Sequence, residues 1–398
     1  MGTVRFTTAG ESHGKALVAI LEGMPAGLPL VADDIDRDLR RRMRGHGRGA
    51  RMKIEADQVE VLAGVRAGET LGSPIALLIQ NRDWENWAEI MAPEPDPPDA
   101  PARRRALTRP RPGHADLVGV LKYGRADARD ILERASARET AARVACGAVC
   151  RRLLAEFGVE VGSHVVELGS VRADPPAALP EPINDAADRS PVRCLDPKAS
   201  DAMVAAVDAA REARDTLGGV AEVVIRGLVL GLGAHVSWDR KLDGRLGRAM
   251  MSIPAVKGVE IGLGFGAARI PGSQVHDAIR KGDRGPAGGF ARASNRAGGL
   301  EGGMTTGEPV VLRVAMKPIS TLMRPLDTVD ITTGEPAKAQ SERSDVTAVP
   351  AMGVIAEAMA ALVFADAMME KFGGDALTEV RRNYDGYIAQ MRERADAP

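Results

Sequence analysis

The stretch from Val349 to Met369 is apolar except for Glu357 and Asp366, and it constrains the fold more than any other part of the 398-residue chain. Two carboxylates inside it rule out an unaided crossing of about 30 Å of hydrocarbon. The alternative is a helix buried in a protein interior, which the rest of the chain must enclose. Enough apolar material is present, since 44% of residues are hydrophobic. Strand-like runs at Val4 to Thr8, Ala16 to Glu22, Pro74 to Ile79, Gly219 to Leu230 and Val310 to Ala315 alternate with helical spacing at Asp33 to Arg44, Leu132 to Phe157, Ala199 to Thr216, Pro350 to Met369 and from Thr378 onward. Leu132 to Phe157 is the longest helical candidate. That alternation predicts a layered α/β (α+β) protein rather than a helical bundle. Proline-rich segments near 92–113 and 171–198 read as loop excursions within the chain, and the C-terminal tail reads as mobile.

Charge narrows the function classes. Basic and acidic residues number 53 and 54, giving a net charge of −1, so no global field draws the chain to nucleic acid or a membrane surface. Three cysteines without a CxxC pair argue against a secreted disulfide framework, and no apolar leader opens the sequence, so the expected location is cytoplasmic. The basic residues are very uneven, with 43 Arg and 10 Lys. Six guanidiniums fall at Arg40, Arg41, Arg42, Arg44, Arg48 and Arg51 around three glycines, and no acid occurs from residue 39 through 54. Such a cluster suits phosphate or carboxylate, which the planar guanidinium binds bidentately. RNA is the rival ligand, but the cluster has no aromatic residue for base stacking.

Further segments carry chemistry. Gly10-Glu11-Ser12-His13-Gly14 matches the G-x-S-x-G of a hydrolase elbow, but only one strand precedes Ser12 and no clear helix follows, so a strand-ending turn is preferred. His13 and His114 lie on loops, where an imidazole can exchange a proton near neutrality. Arg134-Ala135-Ser136-Ala137-Arg138 reads as the small-residue start of the long helix, where exposed backbone N–H groups suit an anion. The glycine-rich run Asn295 to Thr305 can lie flat against a cofactor, and Arg343 beside Asp345 can pair a clamp with a proton acceptor. No metal-ligand spacing is present, and Cys146 and Cys150 read as core thiols.

Seven motifs in order closely resemble chorismate synthase across almost the whole chain: GESHG at 10–14, RRMRGHGRGARM at 41–52, RPGHADL at 111–117, ERASARET at 133–140, NRAGGLEGGMTTGEP at 295–309, KPISTL at 317–322 and ERSDVTAVPA at 342–351. The resemblance implies a single-domain β-α-β sandwich over residues 1–398, with a helical core between antiparallel sheets. It implies a homotetramer that converts 5-enolpyruvylshikimate-3-phosphate to chorismate by 1,4-anti elimination with reduced FMN. NADPH enters only as a reductant, unless an external flavin reductase serves. Matching positions make Ser12, Arg42, Arg48, Arg51, Arg138 and Arg343 substrate contacts, with Arg42 and Arg48 also candidates for NADP. The same matching makes Arg134, Ala135, Ser136, Ala255, Gly302, Lys317, Thr321 and Arg343 flavin contacts. His13 is then expected to neutralise the departing phosphate, His114 to protonate or stabilise the reduced flavin, and Asp345 to assist deprotonation. Pro254 departs from the amide that relatives often carry, and His46 stands where many have Tyr.

Overall fold

The computed structural model describes residues 4–49, 56–95, 106–282, 289–340 and 345–396. Two antiparallel sheets enclose a helical layer. The first sheet joins β1 (Arg5–Ala9), β2 (Ala16–Glu22), β3 (Val59–Ala63) and β4 (Ile75–Gln80) in the spatial order β1-β2-β4-β3. The second joins β5 (Glu160–Leu168), β6 (Val171–Arg172), β7 (Gly219–Arg226), β8 (Val256–Ile261) and β9 (Val310–Met316) in the order β8-β9-β7-β5-β6. β2, β4 and β9 alternate buried and less buried residues, the period-two pattern of a sheet with one face on the core.

Between the sheets lie α1 (Ala32–Met43), α4 (Thr140–Ala155) and α7 (Val349–Phe372), while α2 (Asp116–Tyr123) and α3 (Arg129–Ala135) form a satellite pair. α4 packs on β2 and α7 on β5 and β7, so one cluster of buried apolar side chains runs through both sheets. Three further helices are α5 (Pro197–Glu212), α6 (Leu242–Met251) and α8 (Leu377–Asp396). α8 buries Val380 and Met391, and its Tyr384 meets Phe157 and Phe372 with ring centroids 5.0 and 5.2 Å apart.

The central pair α4 and α7 meets at Gly147, where a β-carbon would lie 2.4 Å from Ala358 Cβ and 2.6 Å from its Cα. Only a missing side chain allows that approach. Gly147→Val is therefore expected to destabilise the protein by at least about 1–3 kcal/mol through overpacking, measured by chemical denaturation.

The two acids inside α7 are both satisfied. Glu357 is fully buried and receives Arg41 from α1 at 2.9 Å, Arg151 from α4 at 2.6 Å, Arg193 at 3.0 Å and the Ser163 hydroxyl at 2.5 Å. Asp366 accepts the backbone N–H of Val4 at 2.8 Å and pairs with Arg245 from α6. Burial alone would raise the Glu357 carboxyl, but Arg41, Arg151 and Arg193 hold it well below the carboxylate range.

Three expectations change here. The helix expected over Leu132 to Phe157 is two helices, α3 and α4, broken at Ser136, and the longest helix is α7. Ser136 is extended at φ −66°, ψ 143°, and its side chain accepts the Arg138 N–H at 3.3 Å, a local competitor to helical bonding. The segment 134–138 therefore spans this break instead of opening the long helix. Much of the arginine cluster is also balanced by acids: Arg40 bonds Asp33 and Arg41 bonds Asp38, both earlier on α1, and Arg41 also reaches Asp188 and Glu357, remote in sequence.

Candidate active site

The Gly10–Gly14 turn links β1, an edge strand, to β2. Gly10 has φ 108°, and a β-carbon there would sit 2.4 Å from the Ala16 carbonyl oxygen, so the turn closes only on glycine. Asn81, just past β4, fastens the turn by donating its amide to the carbonyls of Glu11 at 3.1 Å and Gly14 at 2.7 Å. An antiparallel edge strand followed by another strand is not an elbow, and the Nδ1 of His13 faces Glu133 rather than Ser12.

Glu133, on α3, is the organiser of this corner. It accepts the His13 backbone N–H at 2.8 Å, and both its oxygens lie 2.9 Å from His13 Nδ1. An ionised carboxylate only accepts, so Nδ1 carries the hydrogen and proton exchange with a ligand runs through Nε2. The ring stacks on Trp87 at 4.0 Å between centroids and 26° between planes, and Arg129 lies 4.8 Å over the same indole while bonding Glu133 at 3.0 Å. Burial would raise Glu133, but bonds and charge from His13, with Arg129, hold it below the usual range.

Ser136 Oγ donates to Ser12 Oγ at 3.2 Å, joining this corner to an anion pocket. Arg138 reaches Asn81 at 2.9 Å and Asp57 at 2.5 Å, and Arg42 reaches the same Asp57 at 3.4 Å, Thr140 at 3.0 Å and the Ala137 carbonyl at 2.9 Å. Both guanidiniums are buried. Burial, together with Arg138 and Arg48, pulls Arg42 down to about 10 against the charges of Asp57 and Asp345. Arg48 in turn meets Asp345 at 3.0 Å, and Asp345 accepts the Gly49 N–H at 2.6 Å. Among the described residues, three cations here face two carboxylates, and the surplus favours an anion. Arg51 and Arg343 lie outside the described residues.

Arg48 and Asp345 also line a cleft of about 350 Å³ with Thr321. Thr321 accepts Arg111 at 2.7 Å, and Arg111 bonds Asp116, whose Oδ1 stands 2.5 Å from His114 Nδ1. This second carboxylate–imidazole pair again leaves Nε2 as the exchanging atom. Burial would raise Asp116, yet His114 and Arg111 hold it far below the usual range. α2, which begins at Asp116, packs on α3, so the two imidazole-bearing corners rest on neighbouring helices.

Lys317 donates to the Gly113 carbonyl at 2.9 Å and to Ser320 at 2.8 Å, while its backbone N–H donates to Ala255, which is left-handed at φ 66°. Burial and Lys257 lower the Lys317 ammonium. Arg134 bonds the Gly10 carbonyl at 3.1 Å and Thr8 at 2.7 Å on the far side of the Ser12 turn, and Ala135 ends α3 beside Ser136. Gly302 sits apart from these, at the tip of a hairpin (Leu300–Glu301, Met304–Thr305) tied to the start of α6 by the Leu242 N–H. A β-carbon on Gly302 would meet nothing nearer than 3.9 Å, so its surface is open to a flat ligand.

A family profile described as chorismate synthase matches residues 4–369. The chain belongs to the chorismate synthase family. It is 57% identical over 393 residues to a chorismate synthase of Thermobifida fusca, covering 98% of this chain and 99% of that protein. It is 58% identical over 396 residues to one of Moorella thermoacetica, covering 98% and 100%. A crystal structure of chorismate synthase superposes with a TM-score of 0.78 at 44% identity, covering 98% of each chain. The chain is accordingly a lyase with a role in chorismate formation, and its β-α-β layering is that of the family.

Several site residues carry weak sequence signals. Asp57 and Asn81 lie outside the seven motifs and are legible only once their arginine is known. Trp87 is one of three tryptophans, and Asp116 stands two residues after His114, a spacing that hints at a paired imidazole.

Proposed function

We propose that this chain binds 5-enolpyruvylshikimate-3-phosphate and converts it to chorismate and phosphate by 1,4-anti elimination. The observation that carries the reading is the surplus of guanidinium among the described residues, buried at Arg42 and Arg138 and half-buried at Arg48, flanked by two carboxylate-oriented imidazoles. A substrate with one phosphate and two carboxylates suits such a surplus, and Arg51 and Arg343 would add to it. In the reaction the C3–O bond to phosphate and a C6–H bond break as a new ring double bond forms, with no net oxidation.

The residues present fit FMN. Lys317, Ser320 and Thr321 supply cationic and hydroxyl donors for a phosphate, Ser136 and Arg134 offer polar edges, Gly302 presents open backbone, and the Ala255 carbonyl holds the Lys317 backbone in place. Bound reduced FMN would supply electron density to the ring as phosphate departs and recover it as hydrogen leaves C6. Within the protein, His13 holds a proton at Nε2 for the departing phosphate, with Glu133 fixing its tautomer. His114, fixed by Asp116, holds a proton beside the Lys317–Thr321 loop. Asp345 positions Arg48 and the Gly49 backbone and accepts a proton late in the cycle.

Assembly as a homotetramer and a cytoplasmic location belong to the same reading. It is supported by the exposed Trp238, Phe265 and Phe290 and by three buried, unpaired thiols. The test is anaerobic chorismate formation with dithionite-reduced FMN, repeated with NADPH and oxidised FMN to separate self-reduction from dependence on a reductase. Turnover with reduced FMN is expected, and its absence would remove the reading. Asp345→Asn keeps the acceptor for Gly49 but loses the charge, so it is expected to fold normally and lose at least about tenfold in turnover.

A further inference from the structure

The 350 Å³ cleft that holds Arg48, Asp345 and Thr321 is completed by residues at the C-terminal end of α5 and just beyond it, among them Arg211 and Arg214, which none of the seven motifs includes. Arg214 occupies an unusual place. α5 ends at Glu212, the Asp215 N–H returns to the Ala210 carbonyl at 2.9 Å and the Arg214 N–H to Arg211 at 3.1 Å, the bonding of a helix terminated by a left-handed residue. That residue is ordinarily glycine, because a β-carbon is strained there. Here it is Arg214, at φ 58°.

The charge environment adds a second, independent observation. Asp208 is already shared by His46 at 2.8 Å and Arg211 at 2.6 Å, and Asp215 accepts the Thr216 N–H at 2.8 Å. Among the described residues no carboxylate pairs with the Arg214 guanidinium. Its backbone carbonyl accepts the Arg324 N–H at 3.2 Å, which holds the turn against the loop carrying Met323, another residue of the cleft. An exposed cation that pairs with no carboxylate among the described residues thus lines the cleft, on a backbone that glycine would occupy without strain. Strain retained at a cleft is a pointer to function.

We propose that Arg214 is a binding residue of this cleft, contacting a phosphate or carboxylate group of the bound ligand. The inference rests on the reading of the cleft as part of the active site. The anionic group belongs either to the substrate or to the FMN phosphate, and both present the same oxygens to a guanidinium.

Arg214→Gly removes both the charge and the strain, which melting temperature and ligand binding report with opposite signs, and Arg214→Lys keeps both. The measurements are KM and kcat for 5-enolpyruvylshikimate-3-phosphate, the FMN dissociation constant by flavin fluorescence, and the melting temperature. For Arg214→Gly the expected result is a higher melting temperature together with at least a tenfold weakening of one ligand, kcat changing less than threefold. Arg214→Lys is expected to recover part of that loss. A raised KM assigns the group to the substrate, and a raised FMN dissociation constant assigns it to the cofactor. If both constants stay within twofold of the parent, Arg214 is only a helix terminus and the proposal is overturned. A parent protein that forms no chorismate would instead remove the underlying reading, so the two failures are distinguishable.

Discussion

Replacing His13 by alanine is expected to lower turnover by about 10²–10⁴-fold while the protein stays folded, the range for a positioned general acid. The ring sits on a loop rather than in the core, and Glu133 keeps its bond to Arg129 when the imidazole is gone. Trp87 loses a stacking partner but keeps the Arg129 guanidinium over its ring. The loss should therefore appear in kcat under anaerobic, photoreduced FMN, with an unchanged melting temperature. Near-parental rates would remove His13 from proton transfer. Glu133→Gln gives a useful companion, since an amide can turn either its donor or its acceptor toward Nδ1 and no longer fixes one tautomer. A smaller loss than that of His13→Ala is expected for it.

Glu357→Gln is expected to cost about 3–5 kcal/mol of stability, because removing one partner of a buried ionic group strands the others. Three guanidiniums from α1, α4 and the segment before α5 converge on this carboxylate, so the variant leaves Arg41, Arg151 and Arg193 with excess positive charge inside the protein. The pH dependence has a definite sign. A carboxylate whose folded value is depressed stabilises the protein above its unfolded value of about 4, and that contribution is lost as pH falls through the folded value. Parental stability should thus decline on acidification below about pH 4, and the variant should lose the share that Glu357 contributes. Denaturant midpoints for both proteins between pH 7 and pH 3 provide the measurement. Parallel curves would show that Glu357 does not carry the effect.

The layered architecture was legible because each local signal was strong. Val349 to Met369 could only be interior helix, and β2 stood out as an apolar run that ends in the turn-rich Gly23 to Pro29. The break at Ser136 was not legible, since the alanine-rich sequence around it favours continuous helix. What interrupts it is a hydroxyl accepting a nearby N–H, with Arg138 drawn toward Asn81 and Asp57 from distant segments. The arginine cluster shows the same limit. No acid follows Arg41 before residue 55, and of its partners only Asp38 is local, while Glu357 lies 316 positions away and meets it at 2.9 Å. Charge balance in a folded chain is set by tertiary neighbours, so a sequence-local surplus overstates the positive charge available to a ligand. Among the described residues Arg42, Arg48 and Arg138 remain in surplus because Asp57 is shared by two of them. His13 and His114 were legible as loop imidazoles, but their orienting partners came from a helix end and from an acid two residues on.

The most direct test is a crystal structure of the protein with FMN and 5-enolpyruvylshikimate-3-phosphate. The expected result places the substrate's phosphate and carboxylates within hydrogen-bonding distance of Arg42, Arg48 or Arg138, with His13 Nε2 reaching the phosphate. Substrate seated instead in the separate cavity of about 910 Å³ bordered by Arg37, Arg44 and Arg152, away from both imidazoles, would contradict it.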